Sequence, residues 1–313
     1  MVRTLLDPIR RRMTNAVTGP FGHADYPLAR TMEFRGDPGI CGPDSASWKI
    51  IGDVAGFIGG IRALLIQASH PEVVAGVADH SRYEVDPLGR LSRTSAYVTA
   101  TTFGAMPEVE QAIRFVRKAH RPVQGVSHRG VEYDADAPPL AAWVHNALTD
   151  SFLVAYQHYG RDPLSEEDAD RFVEEQRRIG ELHEASPLPR TAEALGSWIA
   201  THPGLEGSPG QVRTADFLKR PPLSRGQLVG YRILFAAAVA TLPRRLRRII
   251  GVRRMPGARL VGKAGIGILR WALGSSPTWH LSLLRCDADV PEGIFIQPLP
   301  TDVSGSVGLG EPR

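Results

Sequence analysis

DPLGRLSRTSAYVTATTFG, residues 86–104, and VRKAHRPVQG, residues 116–125, are the two stretches that decide how this chain is organised. In the first stretch, polar residues recur at i, i+3, i+4, i+7 and i+11, namely Arg90, Arg93, Thr94, Tyr97 and Thr101. Residues three and four positions apart share one face of a helix. The spacing therefore predicts a helix whose continuous polar face carries two fixed positive charges and several hydroxyl groups.

The second stretch belongs to a predicted helix that ends on a histidine. Its apolar stripe recurs at the same helical spacing, through Val109, Ile113, Val116 and finally His120. Pro107 should start this helix, and Pro122 should end it near Arg121. A helix pair that offers a histidine on one side and cationic donors on the other suits an anionic or metal-containing cofactor.

The composition is that of a globular protein with one strongly basic segment. The chain has 313 residues, 42% of them hydrophobic, which is enough for a substantial core. Its formal net charge is +4, and seven arginines lie within residues 243–259. The two cysteines, Cys41 and Cys286, have no disulfide or metal-binding spacing, as is typical of a reducing cytoplasm. We expect a cytoplasmic location, with residues 243–259 available for peripheral membrane contact.

The apolar periodicity predicts a mainly α fold. Period-2 alternation is nearly absent, and no apolar stretch reaches the roughly 20 residues that a membrane span needs. The amino terminus lacks the apolar core of a secretory signal. We expect an N-terminal helix and irregular arm over residues 1–44, one helical domain over residues 45–286, and a loosely ordered tail over residues 287–313.

Residues 43–71 are predicted to form one long helix. Asp44 or Ser45 can cap its first turn, and Pro71 marks its end. Four glycines in this segment lower its helix propensity but would let another helix or a flat ligand approach closely: Gly52, Gly56, Gly59 and Gly60. Further helices are predicted downstream, with a short hairpin-like fragment within residues 128–139.

Several common catalytic sites are excluded by inspection. The chain has no HExxH zinc motif, no GxxxxGK[ST] phosphate loop and no GxSxG nucleophile elbow. The paired Glu-x-x-His motifs of di-iron bundles are also missing. The ten histidines are therefore the main candidates for chemistry.

His120 has two interpretations. A histidine on an apolar helix face is commonly a core residue whose ring bonds a carbonyl group. It is also the usual axial ligand of haem iron, which is held by a histidine that projects from a helix into an apolar pocket. His70, His80 and His145 are expected to be structural, because they lie at a helix junction, beside a turn and in a hydrophobic helix. Five other histidines belong to no recognisable catalytic or metal-binding motif: His23, His158, His183, His202 and His280.

The polar face of Arg90, Arg93 and Thr94 also has two interpretations. It is either a solvated surface with an internal ion pair to Glu84 or Asp86, or a set of donors for a haem. Two arginines at i and i+3 could neutralise haem propionates or donate to an iron-bound dioxygen.

Longer stretches of the chain resemble a known family. They are GGIRALLIQASHPEVVAGVADHSRYEVDPLGRLSRTSAYVTATTFG, VRKAHRPVQGV, EYDADAPPLAAWVHNALTDSFLVAYQHYG and LPRT, in this order. Together they resemble the oxygenase family that includes the fungal MpaB-type enzymes and the catalytic domain of bacterial latex clearing protein, the rubber oxygenase. The resemblance is strong over residues 49–191 and weak elsewhere.

The resemblance implies a mostly helical, globin-like core with additional helices that binds haem b, and oxidation of a hydrophobic, often isoprenoid, substrate with dioxygen. In the family's pattern, HRPVQG would supply His120 as the proximal iron ligand. RLSRT would place Arg90, Arg93 and Thr94 on the distal side, with Arg93 where the rubber oxygenases have lysine. The resemblance also implies an acid–base residue on the distal side, and Glu72 and Glu84 are both candidates.

These observations leave three hypotheses. The first is a haem b-dependent oxygenase for a small apolar molecule, in which Arg90, Arg93 and Tyr97 contact a haem held by His120. The second is a haem or lipid carrier without turnover. The third is a membrane-surface or nucleic-acid module that uses residues 243–259, although the same arginines could form a solvated helix docked on the protein's own acidic face. We expect no nucleic-acid partner and no transmembrane span.

Overall fold

The computed structural model describes residues 6–19, 28–80 and 87–297, and within them all side chains except those of residues 80 and 87–91. The described helices are α1 (Asp7–Thr18), α2 (Ala46–Ile51), α3 (Gly56–Gln67), α4 (Pro71–His80), α5 (Pro87–Phe103), α6 (Met106–His120), α7 (Pro138–Tyr159), α8 (Glu166–Leu182), α9 (Ala192–Thr201), α10 (Pro209–Lys219), α11 (Arg225–Thr241), α12 (Arg244–Ile250), α13 (Ala258–Leu273) and α14 (Pro277–Arg285). Strands β1 (Gln124–Val126) and β2 (Glu132–Asp134) form one antiparallel hairpin. The prediction of a mainly α fold is confirmed.

Helix α7 is the central element, and α3 packs antiparallel along it. The Trp143 indole N–H donates to the Gln67 carbonyl at 3.3 Å at one end of this pair, and Gly59 lies on the Phe152 ring at the other. A Cβ on Gly59 would lie 2.8 Å from a Phe152 ring carbon, so a larger residue would force the helices apart. The prediction that glycines here permit close helix approach is confirmed at this position.

The α3–α7 pair also contains a buried ion pair. The Arg62 side chain is 2% exposed, and its Nη1 donates to Asp150 Oδ2 at 2.6 Å and to Ser151 Oγ at 3.0 Å. A charge that is removed from water must be paired and hydrogen-bonded. These bonds therefore fix the register of α3 on α7 more strictly than apolar packing alone would.

The prediction of one long helix over residues 43–71 is wrong, because the structure breaks it into α2 and α3. Asp53 lies at the break, where its Oδ1 accepts the Ala55 N–H at 2.8 Å. Its carboxylate also accepts hydrogen bonds from Arg270 of α13, at 2.8 and 3.0 Å. These bonds favour a capped turn over a continuous helix. The predicted Ser45 cap is confirmed, since its Oγ accepts the Trp48 N–H at 3.0 Å.

The ends of the chain pack on the helical core where they are described. In α1, the Arg10 guanidinium lies 4.9 Å from the Trp271 ring centre and 5.3 Å from that of Phe295. The Ser275 N–H donates to the Phe295 carbonyl at 2.8 Å, which ties residues after α14 to the end of α13. Residues 298–313, the rest of the predicted tail, lie outside the described residues. None of the helices in the described part combines the length and apolar character that a membrane span requires.

Two of the histidines that were expected to be structural, His70 and His145, are buried. Burial lowers the pKa of His70 to about 4, with the carboxylate of Glu72 opposing the shift. Burial likewise lowers the pKa of His145 to about 4, and the neighbouring His183 adds to the shift. Both rings are therefore neutral at pH 7. The side chain of His80 lies outside the described set.

We expect the fold to lose stability as the pH falls from about 6.5 towards 4. The unfolded state binds more protons in this window, because the pKa values of His70 and His145 are about 4 when folded. His145→Leu should reduce the slope of unfolding free energy against pH by up to about 1.4 kcal/mol per pH unit. Urea denaturation between pH 4 and 8 measures the slope, with the exposed His128→Leu as control. An unchanged slope in His145→Leu would contradict a buried neutral ring.

Removing one member of the buried ion pair should destabilise the protein strongly. Arg62→Met leaves the Asp150 carboxylate buried without its cation, so we expect a loss of about 3–5 kcal/mol in urea denaturation. The double variant Arg62→Met/Asp150→Leu should recover most of this loss. The matched control is Arg114→Met, whose partner Glu110 lies on the surface and whose loss should cost under about 1 kcal/mol. Equal effects of Arg62→Met and Arg114→Met would refute the role of this pair.

Candidate functional site

The site is built on the antiparallel hairpin of α5 and α6, which the sequence predicts. Gly104 makes the tight turn between them, since a Cβ there would lie 2.4 Å from the Ala100 carbonyl oxygen. The turn is anchored by two carboxylates. Asp37 accepts the Met106 N–H at 2.9 Å, and Glu108 accepts the Ala105 N–H at 2.9 Å. The start of α6 is thereby capped and fixed relative to α5.

The packing between α5 and α6 is described near the middle of α5. Tyr97 of α5 packs on a cluster formed by Val109, Ile113 and Ile179. α6 ends on His120, and Arg90, Arg93 and Thr94 belong to the first half of α5. The predicted histidine and the predicted cationic residues therefore both lie towards the end of the hairpin that is remote from Gly104.

His120 ends α6 in a half-buried position and faces His183, which caps the end of α8. Burial lowers the pKa of His183 to about 4, and electrostatic interactions with His120 and Arg117 lower it further. The His183 Nε2 lies 2.7 Å from the Tyr97 hydroxyl, which links α8 to the polar face of α5. Tyr97 is itself partly buried, and burial raises the pKa of its hydroxyl. His120, His183 and Tyr97 thus form one cluster from three helices.

Arg117 holds the last turn of α6 in place beside this cluster. Its guanidinium bonds Glu184 and lies 3.4 Å from Asp136 Oδ1. Glu184 follows His183 directly, so the bond ties the end of α6 to the end of α8. The Glu184 carboxylate is exposed, so the role of the pair is positional more than energetic.

A small cavity opens on the other side of Tyr97, between α5, α7 and α8. Its volume is about 20 Å³, and Tyr97, Thr101, His145 and Gln176 contribute polar atoms to its walls. This space suits one water-sized molecule. It is far too small for a tetrapyrrole.

Glu72 is one of the two candidates for a distal acid–base residue. Its carboxylate is hydrogen-bonded to other parts of the protein. Its carboxylate is 3% exposed, accepts Ser127 Oγ at 2.7 Å, and accepts Nε and Nη2 of Arg129 at 2.8 and 2.5 Å. Burial alone would raise the pKa of Glu72, but the hydrogen bonds from Arg129 and Ser127 outweigh it and lower that pKa. A carboxylate held in this way is a weak base. The other candidate, Glu84, lies outside the described residues.

The structure describes some of the remaining predicted site residues fully and Arg90 by its backbone alone. Arg93 and Thr94 lie on α5, one turn before Tyr97, as the sequence predicts. The backbone of Arg90 belongs to the first turn of the same helix, while its side chain is outside the described set. Within the described residues, no group of three or more His, Cys, Asp and Glu side chains is arranged to hold a metal ion by itself. His183 was missed by the sequence analysis, because nothing in its local sequence shows that α8 ends against α6.

Comparison with known families gives a match over residues 48–271, to the family described as ER-bound oxygenase mpaB/B'/Rubber oxygenase, catalytic domain. Comparison with curated proteins and with solved structures gave no match. The globin-like character of the core therefore stays a prediction. The matched residues run from α2 to α13. They include the α5–α6 hairpin and also α7 and α8, which pack beside Tyr97. The chain belongs to the catalytic-domain family of the ER-bound oxygenases mpaB/B' and the rubber oxygenases.

Proposed function

We propose that this protein is a haem b-dependent oxygenase that uses dioxygen to oxidise a small hydrophobic substrate such as an isoprenoid. Family membership supports an oxygenase in general. The observation that supports the haem assignment is the α5–α6 hairpin, in which α6 ends on His120 and the first half of α5 carries Arg90, Arg93 and Thr94.

The residue types on the α5–α6 hairpin fit a haem by their chemistry. A histidine imidazole is a common axial ligand of haem iron. The guanidinium groups of Arg90 and Arg93 are suited to the two propionates, because they present fixed cationic donors to carboxylates. Tyr97 and Ile113 give the same region an aromatic and apolar wall.

When bound, haem b would supply the redox chemistry that activates dioxygen. His120 would hold the iron, and His183 and Tyr97 would limit the movement of its ring. His183 is neutral at pH 7, so its Nε2 can accept the hydrogen bond of the Tyr97 hydroxyl without adding a charge to the site. Thr94 would offer a hydroxyl one turn from Tyr97, on the face where substrate oxidation is proposed.

A haem or lipid carrier without turnover is the second candidate. The observation that favours it is that the Glu72 carboxylate is already bound by Ser127 and Arg129. No catalytic acid–base residue is therefore identified among the described residues. Oxygen uptake in the presence of the isoprenoid hydrocarbon squalene distinguishes the two functions. A carrier would bind haem with no substrate-dependent uptake.

The proposal also includes a reducing cytoplasm as the compartment. Cys41 and Cys286 are both free thiols in the structure, which supports this location. Fractionation of cells that express the full chain tests it.

His120→Ala should abolish or strongly change haem binding. The purified protein reconstituted with haem should show a Soret band, which should shift or disappear in His120→Ala because the axial nitrogen is lost. Added imidazole should restore part of the spectrum. The exposed His128→Ala is the matched control and should leave the band unchanged. An unchanged band in His120→Ala, or no band in the unsubstituted protein, would refute the proposal.

Arg93→Gln tests whether this arginine serves the reaction or only the propionates. We expect oxygen uptake per bound haem to fall by about tenfold or more, since a donor aimed at developing charge is lost. Haem titration followed by oxygen electrode measurements with squalene separates binding from turnover. Arg114→Gln, an exposed arginine on α6, is the control. Weaker haem binding with an unchanged rate per bound haem would assign Arg93 to the propionates and not to the reaction.

A further inference from the structure

We propose that the outer face of α13, together with the arginines that precede it, is a docking surface for an anionic lipid bilayer. The surface lies away from the α5–α6 hairpin in the fold, and the inference does not depend on haem. If the proposed function holds, this surface would bring the enzyme to the phase in which an apolar substrate dissolves.

The outward face of α13 is apolar. Leu260 is 77% exposed, Val261 52%, Ile268 56% and Trp271 39%. With Ala264 and Gly267 they follow helical spacing and form one stripe that faces solvent. Between Leu260 and Trp271, Lys263 is the one fully exposed charge. A surface helix of a soluble domain normally carries its polar residues on this side.

The inward face of α13 is already buried, so the helix cannot rotate to hide the stripe. Gly262 lies so close to α11 that a Cβ there would be 2.6 Å from the Ala237 Cβ. Ile266 belongs to the core cluster that contains Tyr159 and Ala237. Arg270 is fixed by its bonds to Asp53. The stripe therefore stays on the surface formed by the described residues.

Neighbouring segments extend the apolar area. Helix α1 packs along α13 and exposes Leu6 and Ile9, and its Arg10 lies over the Trp271 ring. Met255, just before α13, is also exposed. An apolar area that spans three segments, rimmed by basic residues, is typical of an interaction surface.

The sequence segment that contains the stripe carries charges of a single sign. The sequence has no aspartate or glutamate between Asp216 and Asp287, while the same stretch contains twelve arginines and two lysines. Arg253, Arg254 and Arg259 are exposed beside the start of α13. In the described part of the chain, no ion pair with a carboxylate involves any arginine of residues 243–259.

The alternative that these arginines dock on the protein's own acidic face is therefore not supported. Arg245 donates to the carbonyl groups of Ala200 and His202, and Arg247 bonds the Leu242 carbonyl. These two secure α12 to the core. The exposed arginines of the run remain available to an external anion.

A bilayer matches both features together. Apolar side chains of an interfacial helix enter the boundary between head groups and acyl chains, while arginines meet the phosphates and tryptophan favours the interface. Each basic residue near an anionic surface raises affinity about fivefold. A nucleic acid would use the arginines and leave the stripe exposed, so the combination favours the lipid.

The test is sedimentation of the full chain with vesicles of phosphatidylcholine alone or with about 30% phosphatidylserine. We expect binding to the anionic vesicles at about 50 mM NaCl and much weaker binding at about 500 mM, because salt screens the arginines. Tryptophan fluorescence should be quenched by brominated lipids, and Trp271→Phe should lose most of that quenching. Absence of binding to both kinds of vesicle would overturn the proposal.

Two variants separate the apolar and the charged contributions. Leu260→Ser/Ile268→Ser and Arg253→Gln/Arg254→Gln should each lower the partition coefficient at least tenfold with an unchanged thermal midpoint, because all four side chains are exposed. The controls are Val212→Ser and Arg161→Gln/Arg190→Gln, which change exposed residues outside the stripe and should bind normally. Equal binding of variants and controls would overturn the proposal. So would a dimer that Leu260→Ser/Ile268→Ser converts to a monomer, or binding of duplex DNA in preference to vesicles.

Discussion

The buried ion pair between Arg62 and Asp150 sets the position of α3 on α7, and the other helices are arranged around that pair. Apolar side chains would allow α3 to slide along α7, but a desolvated guanidinium must keep its carboxylate and hydroxyl partners. The Gly59 contact with Phe152 requires the same register. Helices α8, α9, α11 and α13 pack against this pair, so the positions of the site and of the outer surface both follow from it.

The candidate site lies where three helices meet. α5 brings the cationic face, α6 brings His120, and α8 ends on His183, whose ring is neutral and bonded to Tyr97. Arg117 joins the ends of α6 and α8 through Glu184. These contacts link the ends of α6 and α8 to the polar face of α5.

The outer face of α13 differs from the rest of the surface in its charge pairing and in its exposed apolar side chains. Elsewhere several arginines are paired with carboxylates, as Arg114 is with Glu110 and Arg177 with Glu174. Around α13 the acidic partners are missing from the sequence itself, and apolar side chains occupy the positions that normally carry charge. The two regions of the molecule therefore differ in charge pairing and in exposed apolar area.

The sequence by itself determined the mainly α class and the helix faces of α5 and α6. Helical spacing within α5 and α6 is local, so the order of Arg93, Thr94 and Tyr97 and the position of His120 at a helix end could be read directly. Tertiary structure decided what residues far apart in the chain do to one another. Arg270, 217 residues from Asp53, favours the break between α2 and α3. His183 meets Tyr97 across 86 residues, and Arg129 occupies Glu72 across 57. Such partners are chosen by how helices pack in three dimensions, and helical periodicity carries no information about that choice.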